Sequence, residues 1–255
     1  MKKFILTILA LLILAMPGWG ALEFDGVDQY VKTPSNSIFN LTDMSVVARI
    51  YITAGSISGW SRIVSKDNHL EGGTRYVFIL RSSGSTGDDK PEFSVYDGTN
   101  NPIANSPDAI TTGEHLLIGT RDAGVTIKIF VDNVEKASVA DTTSGAQGGT
   151  TNVSFAALAN SVSFDEYSPG KIIEVKIYNR ILSAAERNII YYAHGNDKII
   201  NGLVGHWRMN EKTDGQTATA ANSVIDISGN NNHGSPSNSP VYRAVSMTLT
   251  NPIIN

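Results

Sequence analysis

GLVGHWRMNEKTDGQTATAANSVIDISGNNNHG, residues Gly202 to Gly234, decides how this chain is read. Leu203, Gly205, Trp207 and Met209 share one parity and Val204, His206, Arg208 and Asn210 the other, the period of a strand that buries one face. That parity makes Trp207 a core residue. The stretch from Asp226 to Gly234 cannot be strand interior, because Gly and Asn accept positive φ and Asp and Ser side chains bond nearby backbone. It reads as a tight, oxygen-rich loop, of a kind that positions residues or holds hard cations.

Upstream, strand patterns recur at short spacing. Leu22 and Phe24 lead to the turn Asp25-Gly26, and Tyr30 and Val31 re-enter a strand. In SVVARIYI (45–52), Val46, Ala48, Ile50 and Ile52 alternate with a second face that is also largely apolar, as expected of a central strand. Tyr76 to Leu80 and Phe93 to Tyr96 are further strands, separated from their neighbours by polar loops at 67–75 and 81–91 and by the turn Asp97-Gly98. Val125, Ile127, Ile129 and Val131 form one face of another, and Asp132-Asn133 then reads as a two-residue hairpin loop. Ile173, Val175 and Ile177 mark a strand ending at Tyr178. Ser183 and Glu186 have capping-box spacing at the start of the single helix, which His194-Gly195 stops. The predicted fold is therefore all-β, a two-sheet antiparallel β-sandwich with one short late helix.

Composition narrows the class. Residues 1–20 carry Lys2 and Lys3, an apolar run from Phe4 to Met16, and then Pro17 and small residues, the layout of a secretory signal cleaved before Ala21. The run is short for a bilayer span, so no stable membrane span is expected after cleavage, and the chain is placed outside the cell or on its surface. Losing both lysines takes the formal charge from −4 to −6, and no basic cluster suggests nucleic acid as a partner. With 0 cysteines, disulfides, a thiol nucleophile and thiolate zinc are excluded. A single domain over 21–255 can bury roughly 70 to 75% of its unfolded surface without such staples.

ALEFDGVDQYV (21–31), IFVDN (129–133), KIIEVKIYNRILSAAE (171–186), GLVGHWRMNE (202–211) and DISGNNNHG (226–234) together resemble the laminin G-like domains of the concanavalin A-like lectin/glucanase superfamily. The resemblance implies a jelly-roll sandwich of concanavalin A-like type. In such domains the segment like GLVGHWRMNE normally precedes the one like ALEFDGVDQYV, whereas here it comes last. Three arrangements follow: residues 202–242 are a permuted segment completing their own sandwich, residues 202–255 are the stub of a second, truncated domain, or the tail is inserted into a neighbouring copy in an oligomer. The first is favoured, because an isolated stub could not bury its apolar face.

The resemblance also implies a structural calcium. Asp25, Glu211, Asp226 and Asn232 lie in the motifs richest in the oxygen ligands that this ion needs. The alternative is that Asp226 and Asn232 cap turns, that Glu211 pairs with an arginine such as Arg180, and that His233 orients the loop by hydrogen bonding. A glycan or glycosylated surface is the expected partner. Sugars are held by an aromatic face and a few polar groups on loops, and Trp60, Tyr96 and Tyr167 lie in or beside loops with Asp67, Asn68, His69, Arg75 and Asn100. Packing at the base of a loop is the competing role for Trp60.

Enzymatic motifs are missing. The Glu-x-Asp-x-Glu run that would set glycosidase carboxylates side by side does not occur, since Glu23-Phe24-Asp25 continues as Gly26-Val27. Gly55-Ser56-Ile57-Ser58-Gly59 has Ile where a nucleophile elbow needs Ser. The expected function is a secreted, non-catalytic carbohydrate-binding or adhesion module, with a sugar-free surface protein and a polysaccharide-degrading enzyme as alternatives.

Overall fold

The structure, a computed structural model, describes residues 19–53, 60–67, 73–81, 89–149, 151–159 and 164–245. The expected leader lies outside them up to residue 18, and Trp19 and Gly20 already extend the first strand. In chain order the strands are β1 (Trp19–Asp25), β2 (Tyr30–Lys32), β3 (Met44–Ile52), β4 (Trp60–Asp67), β5 (Arg75–Arg81) and β6 (Lys90–Tyr96). There follow β7 (Ile103–Asn105), β8 (Gly113–Asp122), β9 (Thr126–Val131), β10 (Val134–Ala140), β11 (Ser154–Phe155) and β12 (Leu158–Ala159). The last are β13 (Phe164–Asp165), β14 (Pro169–Tyr178), β15 (Leu203–Trp207), β16 (Ser235–Ser237) and β17 (Val241–Val245), with the helix α1 (Ala184–Ala193) between β14 and β15.

Two antiparallel sheets make the sandwich. One has the order β10-β9-β8-β3-β14-β1-β17, with β15 also paired to β14; the other runs β16-β2-β11-β4-β5-β6-β7. Strand alternation puts a row of core side chains inward from each. Val131, Leu117, Ala48, Val175 and Trp207 are register partners across β9, β8, β3, β14 and β15, and Val64, Phe78, Phe93 and Ala104 across β4 to β7. All nine are buried in one cluster. The sheets meet closely at Gly119, where a Cβ would come within 2.3 Å of the Phe93 ring, so a larger residue would force the layers apart.

The placement of β15 follows from β14. One long edge of β14 is taken by β3, from Lys171 to Tyr178. Its other edge is shared end to end: β1 pairs with Pro169 to Ile172, and β15 with Val175 to Tyr178. Two segments far apart in sequence thus fill one strand position of the same sandwich. β17 then pairs with β1, and β16 with β2.

Local signals hold where they were strongest. Asp132 and Asn133 have φ of 50° and 64°, as a two-residue hairpin loop requires. Ser183 and Glu186 form a reciprocal capping box, and His194 ends α1 in the left-handed conformation. α1 packs on the outer face of the eight-stranded sheet, where Leu182 and Ile190 join Val47, Leu116, Ile118, Phe130 and Tyr178. Two expectations need correction: 67–75 and 81–91 are not wholly polar loops, because Asp67 closes β4, Arg75 opens β5 and Arg81 closes it, and Lys90 and Pro91 open β6.

Candidate functional site

With one sheet's outer face under α1, the outer face of β4, β5 and β6 is the distinctive surface. Alternation that sends Val64, Phe78 and Phe93 inward sends polar residues outward. Asp67, Arg75 and Tyr96 are register partners across the three strands, and Ser65, Val77 and Ser94 form the next outward row. Arg62 and Glu92 lie beyond it, with Arg62 ion-paired to Glu166. This face is a polar floor: Ser65, Ser94, Arg62 and Glu92 are all buried, and the buried Nη1 of Arg62, Nε of Arg75 and hydroxyls of Ser65 and Ser94 have no hydrogen-bond partner.

Arg75 organises the open end. Its guanidinium carbon lies 5.4 Å from the centre of the Tyr96 ring, Nη2 donates to Asn101 Oδ1 at 3.1 Å, and Nη1 is 3.7 Å from Asp67 Oδ2. Burial lowers the pKa of Arg75, while Asp67 beside it acts in the opposite sense. The Tyr96 hydroxyl donates to the Gly98 carbonyl at 2.8 Å, which ties the ring to the following turn.

That turn is built on Asp97. Its Oδ1 accepts the N–H groups of Thr99 and Asn100, and its Oδ2 the N–H of Ser144 at 2.9 Å. Burial opposes ionisation of Asp97, but these backbone donors outweigh it and take the carboxyl down to about 2. Asn100 is therefore a turn-former here, and Asn101 carries the contact to Arg75. Sequence reasoning read Asp97-Gly98 as a turn and did not name Asp97, Asn101 or Ser144 as site residues. Asp97-Gly98-Thr99-Asn100 did hold a signal, an Asx turn that presents the next side chain outward.

The predicted ligand residues thus divide. Asp67, Arg75, Tyr96 and Asn100 converge. Trp60 is 42% exposed and sits at the far end of β4, about 23 Å along the strand from Asp67. The Tyr167 ring lies 6.3 Å from that of Tyr30. Asn68 and His69 lie outside the described residues.

The Asp226 loop behaves differently. Asp226 is buried, Oδ1 accepting the N–H groups of His206 and Ser228 and Oδ2 that of Asn232, each at about 3.0 Å. His233 Nδ1 accepts the Asp226 N–H at 3.0 Å, the orienting bond expected of it. The Trp207 indole donates to the Asn232 carbonyl at 3.0 Å, and Asn36 Nδ2 donates to Asn232 Oδ1 at 2.8 Å. Glu211 Oε1 accepts the Ile225 N–H at 2.8 Å, and burial pushes its carboxyl up. It does not pair with Arg180, which is held by Glu186. Asp25 caps its own turn through the Val27 N–H, making no bond to the other three. The side-chain oxygens of Asp226 and Asn232 already accept backbone N–H groups or the Asn36 amide, whereas Glu211 Oε2 is buried with no hydrogen-bond partner, and among the described residues no group of three or more His, Asp or Glu is placed to hold a metal.

A sandwich with one helix-covered face and one polar face agrees with what sequence and structure comparison find. Residues 25–186 match a laminin G family model described as concanavalin A-like lectin/glucanases superfamily, and the chain belongs to that superfamily. The match ends before Gly202, although β15 to β17 complete both sheets. A candidate carbohydrate binding protein from Bacteroides ovatus aligns over 91% of this chain with a TM-score of 0.66 and 15% identity. This chain spans 61% of that protein's length. The binding domain of Paraclostridial Mosquitocidal Protein 1 aligns over 70% of this chain and 47% of its own, with a TM-score of 0.50 and 10% identity. At these identities the likeness is one of fold. No curated protein matches the sequence. Among the described residues no helix is long and apolar enough to cross a membrane.

Proposed function

We propose that this chain is a secreted, non-catalytic carbohydrate-binding module that takes glycan at the Arg75–Tyr96 end of the polar sheet face. The single observation that carries the reading is the outward row Asp67, Arg75 and Tyr96, set on three adjacent strands and bordered by Asn100 and Asn101. Arg75 and Tyr96 are partly exposed and Asn101 is exposed, which makes this end the part of the face a ligand can reach. Rigid strands hold an aromatic ring and a fork of donors in fixed relation, the combination that grips the C–H face and hydroxyls of a sugar. Superfamily membership supports the reading without deciding it, because one sandwich hosts many functions.

The test is a glycan array followed by calorimetry on the best hit. The module should bind, Arg75→Ala and Tyr96→Ala should each weaken binding about tenfold, and Trp60→Ala should leave it within about twofold. Release of reducing ends from a bound polysaccharide would replace this reading with an enzyme, and the absence of any glycan binding would replace it with a sugar-free surface protein.

A further inference from the structure

The outer face of the eight-stranded sheet carries a second charged set, beneath the chain that leaves α1. Lys176 and Glu174 project from β14 on this face, and Asp197 comes down onto them from the segment between α1 and β15. Their side chains are 1%, 2% and 1% exposed. Lys176 Nζ contacts Asp197 Oδ2 and lies 3.1 Å from Glu174 Oε1. Asp197 is held in place: its other oxygen accepts the Ile199 N–H, and the Tyr178 hydroxyl donates to the Ile199 carbonyl at 3.1 Å. Glu174 is anchored by His206 Nε2 at 2.7 Å, while its Oε2 is buried and has no hydrogen-bond partner.

A buried amine, a buried carboxyl in contact with it, and a second carboxylate with an idle oxygen beside the amine are the parts needed for amide condensation. We propose that Lys176 and Asp197 become joined by an intramolecular amide bond, with Glu174 as the catalytic proton carrier. The reaction begins with transfer of a proton from the Lys176 ammonium to the Asp197 carboxylate in contact with it. Nζ then attacks Cγ of Asp197; the C–N bond forms, and one C–O bond breaks. Glu174 accepts a proton from the nitrogen and returns it to the departing oxygen, which leaves as water. Ammonium plus carboxylate give amide plus one water, with no oxidant, metal or activating group consumed. Fixing both reactants in contact supplies the effective concentration that the free side chains lack, and exclusion of solvent opposes hydrolysis.

Intact mass spectrometry of the purified, denatured full chain tests this. The expected mass is lower than the sequence mass by one water. Trypsin should no longer cut after Lys176, leaving the peptide Ile172–Arg180 joined to Asn188–Lys198. Asp197→Asn should still condense, now with loss of one ammonia. Lys176→Arg should restore the full mass, and Glu174→Gln, with its fold checked by circular dichroism, should stay largely unlinked. An unshifted wild-type mass would overturn the proposal. So would loss of water with trypsin still cutting after Lys176, since the cyclisation would then lie elsewhere.

Discussion

Arg75 lies across the face of Tyr96, and its far end reaches Asn101, so one side chain couples a β5 guanidinium to an aromatic on β6 and to the turn beyond it. This coupling separates Arg75 from a surface lysine as a sugar contact. Arg75→Lys keeps the charge but loses the planar fork, and should recover less than half of the binding energy lost in Arg75→Ala, on the order of 0.5 of about 1.4 kcal/mol, read by calorimetry. Full recovery would mean that charge alone matters.

Asp226 is a capping residue in this structure. Removing its carboxylate strands three N–H groups, so Asp226→Ala should cost about 3 kcal/mol in chemical denaturation. The wild-type melting temperature should not respond to EDTA, because the loop's stability comes from those bonds. A rise of several degrees on adding calcium would contradict this.

Trp207 ends the five-strand core row, with its ring 4.9 Å from Phe155 and 6.0 Å from Phe39. Trp207→Ala should destabilise by about 3 to 5 kcal/mol. Trp207→Phe should cost less, though still about 1 to 2 kcal/mol because the Asn232 carbonyl loses its indole donor. Denaturation midpoints at constant m-value would establish both.

His115 joins two loops, and both of its partners are acceptors: Asp132 Oδ2 lies 2.8 Å from Nδ1, and the Thr111 carbonyl 2.9 Å from Nε2. Only the imidazolium can donate to both. Burial acts to lower its pKa, but the Asp132 bond and charge, the Thr111 carbonyl and Glu114 outweigh it and raise the pKa. A raised folded-state value stabilises fully below the ordinary histidine value of about 6.5, and the contribution is lost as pH rises through the folded value. Stability measured from pH 5.5 to 9 should therefore fall more in wild type than in His115→Gln, in a window starting near about 6.5. Parallel curves would remove the His115 contribution.

Much of the sandwich was legible because its strongest signals are local. The alternation in 45–52 and 125–131, the Asp132-Asn133 turn and the Ser183–Glu186 box each depend on neighbours within a few residues, and each appears as expected except at Val125, which precedes β9 and is exposed. The parity of Leu203 to Met209 buried Trp207 and Met209 in the core, but a register shift opposite Tyr178 puts Leu203 on the outer face with α1 and Val204 in the core. What could not be read were strands of two or three residues, such as β7, β11 and β16, whose pairing is set by long-range register. The site was half legible for the same reason. Asp67, Arg75 and Tyr96 were chosen for their chemistry, but only pairing across β4, β5 and β6 puts them in one row and leaves Trp60 at the other end.

The central claim is that glycan binds at that row. It is tested most directly by following backbone amide shifts of the labelled protein during titration with the best glycan from the array. The account predicts saturable shifts concentrated at Arg75, Tyr96, Asp97, Asn100, Asn101 and Ser144, which in Arg75→Ala saturate only at about tenfold higher glycan. Shifts centred on α1 or on Trp60, or none with any glycan, would contradict it.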